Sequence, residues 1–316
     1  MGFLSSLFGN GEQTEAAKFE TLRDDGVRAM QMGELPYAEK CFLAALNIDR
    51  DTKTLSFLAE TYLRMRNNEK ACPLLSELHS KEPDNVEVAL LLAQTQGELK
   101  LFAEERQTCD EILAAHPKEV RASYLDAEAL HGLGDDIMAI ARLTQVIVQE
   151  PEYYRAMKLR ADILAGMSQW ASALEDLEAL VATDAENEDY LMLRAQAYAS
   201  LGEEDKAIAD YQHVLENNPF SQDAVLRLGN LYEATSRWDK ALTLYDEAIE
   251  LQPKFAEAYK ARGGVRHHLK DEAGAADDLK RSLELAPEQA KNLEGEYTNM
   301  ENRMEEKYRN QNPFQF

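Results

Sequence analysis

The chain has 316 residues, 45% of them hydrophobic and 29% charged, with 34 Lys and Arg against 58 Asp and Glu for a formal charge of −24. That balance excludes nucleic acid as the main partner, because gripping phosphates takes clustered cations, and it disfavours an anionic membrane surface. Three cysteines without a CxxC, and no apolar run near the roughly 20 residues of a membrane span, point to a reducing compartment, with the cytoplasm as the expected location.

Residues 1–17 read as an apolar leader. Phe3, Leu4, Leu7 and Phe8 fall on one face of a short helix that Gly9-Asn10-Gly11 breaks. Met1-Gly2 with Ser6 also fits a myristoylation pattern. Residues 18–289 repeat. Prolines stand at Pro83, Pro117, Pro151, Pro219, Pro253 and Pro287, spaced by 34 or twice 34, and the missing rung falls at Ala185. The repeats begin near Phe19, Thr52, Val86, Val120, Tyr154, Glu188, Gln222 and Ala256, which makes eight helix pairs. The first is one residue out of register, so the turn after it should be shorter.

Within each repeat the eighth position is small: Gly26, Ala59, Ala93, Ala127, Ala161, Ala195, Gly229 and Gly263. The twentieth is Ala except at Glu105, where looser packing is expected. Small residues at these positions let two helices approach to about 8–9 Å. Pro73 lies inside a second helix and should make it start late or bend. Leu133-Gly134 and Leu201-Gly202 close first helices through a left-handed glycine. Trp170 and Trp238, just after the turn, should pack between the two helices of their own repeat. Position seven on the first helix and position 23 on the second vary in step. They read Arg160/Asp176, Arg194/Asp210 and Arg262/Asp278, reversed to Asp126/Arg142, and replaced by Leu58/Leu74 and Leu228/Leu244. That covariation predicts four ion pairs. After Pro287 the period stops. Residues 290–316 read as a capping helix, with Leu293, Tyr297, Met300 and Met304 at helical spacing, and a tail ending in Phe314 and Phe316.

The stretch from Gln222 to Phe255, with Leu228-Gly229, Tyr232, Ala241, Tyr245, Ala248 and Pro253, resembles the tetratricopeptide repeat. The resemblance covers nearly the whole chain. It implies an all-α, right-handed superhelical solenoid whose first helices line a concave groove, with positions two, five, nine and twelve facing it. Those positions supply Arg121, Tyr124, Glu128, Arg155, Lys158, Asp162, Gln196, Asn230 and Lys260 as candidate peptide-binding residues. Arg121, Arg155 and Lys158 form a basic concentration one rung apart, suited to a carboxylate, a phosphate or an acidic side chain, or else paired internally with Glu128 and Asp162. Relatives that bind chaperone tails carry a Lys and an Asn four residues apart. Here Lys158 is followed by Asp162, Lys260 by Gly264, and Asn230 preceded by Leu226, so that use is not expected.

No catalytic constellation emerges. There is no phosphate-binding glycine loop, GxSxG or HExxH, and the neighbouring His267 and His268 point about 100° apart on a helix. Arg holds its proton at working pH, so the Arg/Asp pairs are structural rather than acid–base machinery. The expectation is a non-catalytic interaction scaffold without metal or cofactor, binding a protein or peptide partner. The alternative is a membrane-proximal assembly factor held through residues 1–9. Self-association through the leader or the capping helix is a further reading.

Overall fold

The computed structural model describes residues 14–287. The leader through Glu12 and Gln13, and the capping helix and tail from residue 288 onward, lie outside the described residues. Among the described residues there are sixteen α-helices and no strand. The first helices are α1 Glu15–Gln31, α3 Thr52–Arg64, α5 Val86–Glu98, α7 Val120–Gly132, α9 Tyr154–Gly166, α11 Glu188–Ser200, α13 Gln222–Ala234 and α15 Ala256–His268. The second helices are α2 Leu35–Leu46, α4 Asn68–Lys81, α6 Phe102–Ala115, α8 Asp136–Gln149, α10 Trp170–Thr183, α12 Glu204–Asn217, α14 Trp238–Leu251 and α16 Glu272–Leu285. Two compact units result, one up to Ile163 and one from Leu164, with the boundary inside α9.

Local chemistry sets the helix ends. Thr14, Asp51, Asn67, Asn85, Asp135, Asn187 and Asp271 each accept a hydrogen bond from a first-turn backbone N–H of the helix they precede. First helices end in one recurring turn, in which a backbone N–H reaches back five residues, as from Asp135 to Leu130 O at 2.9 Å and from Arg237 to Tyr232 O at 2.7 Å. The turn needs a left-handed residue. Gly33, Gly134 and Gly202 supply it at φ of +80, +83 and +77°, whereas Arg66, Lys100, Ser168, Ser236 and Lys270 adopt it with a side chain. Ala185 occupies the same turn as the prolines of the ladder.

Small residues act as sockets. A Cβ on Gly26 would meet the Phe42 ring at 2.6 Å, and one on Gly229 would meet the Tyr245 hydroxyl at 2.1 Å. At Gly26 and Gly229 the glycine therefore makes room for an aromatic ring from the second helix, whereas a Cβ on Gly263 would meet Ala275 O and Asp278 Cβ at 3.3 Å. Ala59, Ala93, Ala127 and Ala195 at the same position are buried. Buried clusters follow from this packing, among them those built on Phe42, Leu55 and Leu78, on Leu130, Leu143 and Cys109, and on Tyr211, Leu228 and Tyr245.

Three expectations are corrected. The one-residue offset of the first repeat is absorbed by the helix, not the turn: α2 has 12 residues where α4 has 14. Pro73 does not delay α4, which starts at Asn68, in register with Trp170 and Trp238. The α4 core is kept, with Ala71, Leu75 and Leu78 all buried. Glu105 does not loosen its repeat. Its side chain is 1% exposed and fills the space left by Gly97, where a Cβ would lie 2.6 Å from the Glu105 carboxylate.

The tryptophan expectation also changes. Trp238 stacks on His268 of the following repeat, with ring centroids 3.7 Å apart. Phe102 lies against Gly132, and Asn68 donates to Glu98, at the same two repeat positions. Position 17 of one repeat thus meets position 13 of the next, and this joint, not the interior of one repeat, is where the aromatic sits. Gly132→Ala should destabilise the first unit by about 1–3 kcal/mol, because the new methyl overlaps the Phe102 ring at 2.5 Å. Gly166→Ala, with nothing within 4 Å, is the control, and thermal melts of both variants read the difference.

Three of the four covarying charge pairs are seen in the contacts expected of them. Arg194 Nε and Nη2 donate to Asp210 at 2.8 and 2.7 Å, and Arg262 makes the same fork to Asp278 at 2.9 and 2.6 Å. In the reversed repeat Arg142 donates to Asp126 at 2.7 Å. Arg160 and Asp176 fall on opposite sides of the unit boundary. Arg160 donates to Thr144 at 2.9 Å in the first unit, and Asp176 is buried in the second.

Candidate functional site

In the first unit, positions two, five and nine of successive first helices converge on one pocket. Glu87, Leu90 and Gln94 come from α5, Arg121, Tyr124 and Leu125 from α7, and Arg155 from α9; Leu91 and Tyr153 complete it around a volume of about 140 Å³. The helical spacing of three and four residues is what puts these side chains on a shared face.

The pocket is aromatic and charged. Tyr124 and Tyr153 stand 5.4 Å apart, centroid to centroid, and the Arg155 guanidinium lies 5.0 Å from the centre of the Tyr124 ring. Arg121 is held by a bidentate bond to Glu87, at 2.9 and 2.8 Å, and by Glu119 at 2.9 Å. These bonds lower the pKa of both glutamates. Lys158 closes on Asp162 of its own helix at 2.6 Å. Arg155 is exposed and has no carboxylate within ion-pair distance among the described residues. Burial raises the pKa of Glu128 and of Tyr124, with Arg155 partly offsetting both.

Of the nine sequence-derived candidates, Arg121, Tyr124 and Arg155 meet in the pocket. Glu128 lies one turn beyond Tyr124 on α7, and it is not the partner of Arg121. Lys158 and Asp162 pair with each other. The other three belong to the second unit. Gln196 accepts from Arg227 Nη1 at 3.1 Å, while Asn230 and Lys260 are exposed. Sequence reasoning passed over one contributor to the pocket, Tyr153, and one residue beside the second-unit candidates, Arg227. Tyr153 precedes α9 and is outside the repeat positions assigned to the groove, though the Tyr153-Tyr154 doublet was visible. Arg227, four residues after Asp223 and bonded to it at 2.8 Å, sits at position six.

Among the described residues no group of three His, Cys, Asp or Glu is arranged to hold a metal ion, and no helix is long and apolar enough to cross a membrane. Cys41, Cys72 and Cys109 are free thiols, and Cys72 is only half-buried, unlike the other two.

The recurring helix–turn–helix geometry finds its match in a family model. The tetratricopeptide repeat model matches residues 58–120, 160–222 and 226–290, more than half of the chain. The chain belongs to the tetratricopeptide repeat family. Solved structures agree on the fold. The C-terminal part of a tetratricopeptide repeat protein from Cytophaga hutchinsonii is 17% identical, with a TM-score of 0.65 over 78% of this chain and 99% of that one. A tetratricopeptide repeat protein from Parabacteroides merdae is 16% identical, with a TM-score of 0.57 over 78% and 98%. PilW, a type IV pilus biogenesis factor, is 21% identical, with a TM-score of 0.55 over 68% and 99%. No curated protein matches the chain. At these identities the tetratricopeptide likeness defines the fold and leaves the partner to be argued from the site.

Proposed function

We propose that the chain is a non-catalytic, cytoplasmic protein-interaction scaffold, and that the first-helix face around Tyr124 and Arg155 receives an extended acidic segment of a partner protein. The observation that carries this reading is Arg155: an exposed guanidinium held over a tyrosine ring, at the mouth of a pocket, with no intramolecular carboxylate in ion-pair range among the described residues. A carboxylate from a partner would complete it through a charge-assisted fork. The two tyrosines offer a rigid apolar floor beside that charge. Arg121 supports the pocket wall and is already neutralised. The family supports a scaffold role, and the free thiols support a reducing location.

Immobilised wild-type chain, Arg155→Glu and Lys260→Glu should be exposed to lysate of the source cell, with circular dichroism confirming that each is folded. A partner retained by wild type and Lys260→Glu and lost from Arg155→Glu is the expected result. Equal recovery on all three places binding away from this pocket and rejects the site.

A further inference from the structure

The ladder of charges in the second unit has a gap, and the gap is a pocket. In two repeats of that unit an arginine at position seven forks onto the aspartate at position 23: Arg194 onto Asp210 and Arg262 onto Asp278. Arg262 does more. It also reaches Asp246 of the preceding second helix at 2.6 Å, so its guanidinium bridges α14 and α16 above α15. Arg160 reaches back in the same manner to Thr144 in the first unit. Arg262 therefore fills the seam between α14 and α16.

Between α12 and α14 that arginine is absent. Position seven is Leu228 and position 23 is Leu244, neither long enough to span the seam. What remains is a pocket of about 580 Å³ with Leu215, Leu228, Leu244 and Tyr232 among its walls. Gln212, at the position that Asp246 occupies in the next seam, donates instead to the Tyr232 hydroxyl at 3.2 Å. Glu216, Asp239 and Glu247 also line the pocket, all exposed, and none has an ion-pair partner among the described residues. Its one cation, Lys240, is drawn over the Tyr232 ring at 5.8 Å.

We propose that the seam between α12 and α14 is a docking site for an arginine side chain of a partner protein, its stem on Leu215, Leu228 and Leu244 and its guanidinium toward Glu216 and Glu247. The chemistry of the walls selects this occupant. An aliphatic stem covers leucine surface while the charged head stays with the carboxylates at the rim. Guanidinium is favoured over ammonium because it is weakly hydrated and meets carboxylates through a planar fork. The flanking seams show that the fold accepts such a group at this place, since Arg262 sits there one repeat on. A chain with a charge of −24 also draws basic segments toward it. This site lies between two second helices, with Leu228 and Tyr232 of α13 among its walls, and shares no residue with the pocket around Tyr124.

The test uses the full chain with leucine methyls labelled with carbon-13, titrated with acetyl-Leu-Arg-Leu-amide and with its citrulline counterpart, the uncharged isostere. The arginine peptide should shift the methyl signals of Leu215, Leu228 and Leu244 saturably, and the citrulline peptide should bind at least ~10-fold more weakly. Glu216→Gln/Glu247→Gln, both on exposed residues, should weaken the arginine peptide by a similar factor. Leu228→Arg/Leu244→Asp, which rebuilds the missing rung from within, should abolish binding while retaining a cooperative thermal melt. Three results each overturn the proposal: equal affinity for the two peptides, binding that survives the Gln variant, or no shift of these methyls up to about 10 mM peptide.

Discussion

Replacing Glu105 and Gly97 together with alanine will stabilise the chain by about 2–3 kcal/mol near pH 8 and leave it almost unchanged near pH 4. Glu105 is 1% exposed, and its Oε2 is buried without a hydrogen-bond partner among the described residues. Burial, followed by the charges of Glu128 and Asp126, pushes its pKa up to about 8 from an ordinary 4.5. The sign follows from linkage. An acid whose pKa is higher folded than unfolded binds more protons when folded between the two values, so stability falls as pH rises from about 4.5 to about 8 and is level above. Alanine, which stands at this position in the other repeats, removes that loss. The partner change is needed because Glu105 fills the space over Gly97, and alanine at 105 alone leaves a void. Gly97→Ala alone should be destabilising, since its methyl would strike the Glu105 carboxylate. Thermal melts of wild type and double variant from pH 4 to 8.5 check the whole claim, and amide exchange along α6 localises it. A Tm difference that does not widen between pH 4.5 and 8 would remove ionisation as its source.

Glu105 also marks the limit of what the chain discloses as text. Seven first helices begin on the residues that the repeat spacing indicated, from Thr52 to Ala256, because the turn prolines, the capping side chains and the small residues at positions eight and twenty are each required by a local geometry. Local requirements recur at a fixed residue and so can be read by comparing repeats. Compensated exceptions cannot. Glu105 departs from alanine and Gly97 departs from a larger residue, and each looks like a defect until the structure places one in the space of the other. The joints between repeats stayed hidden for a related reason. Trp238 on His268, Phe102 on Gly132 and Asn68 with Glu98 share a geometry but no chemistry, so no one pair of residue types marks the joint along the chain.

The candidate site was legible to a similar depth. The groove positions implied by the repeat resemblance put Arg121, Tyr124 and Arg155 on one face, and the three line one pocket. Spacing says which side chains share a face, and it is silent on which charges neutralise one another. Arg121 and Arg155 occupy the same repeat position, yet Arg121 is spent on Glu87 and Glu119 while Arg155 is left over a ring. The difference lies in what precedes each: Glu87 stands one rung before Arg121, and the rung before Arg155 is Arg121 itself.

Asp210→Leu will cost about 3–5 kcal/mol, whereas Arg194→Leu/Asp210→Leu will cost less than about 1 kcal/mol. The single change leaves the Arg194 guanidinium, one-fifth exposed, without the carboxylate that takes two of its hydrogen bonds. What remains is the Tyr198 ring at 5.7 Å and the charge of Glu178, too weak together to replace the fork. The double change removes both the desolvation cost and the attraction, and it reproduces the Leu228/Leu244 contact that the next repeat already uses, with Leu228 1% exposed in the core. A third variant, Arg194→Asp/Asp210→Arg, copies the reversed pair of Asp126 and Arg142, which bond at 2.7 Å. It should fall between the other two, since the fold accepts either polarity but the surrounding charges, Glu178 of the preceding repeat among them, are arranged for the arginine on the first helix. Denaturant melts of the four proteins form a double-mutant cycle whose coupling energy isolates the pair from its setting. If Asp210→Leu costs no more than the double variant, the pair contributes nothing to holding α11 against α12, and its covariation through the chain would need another cause.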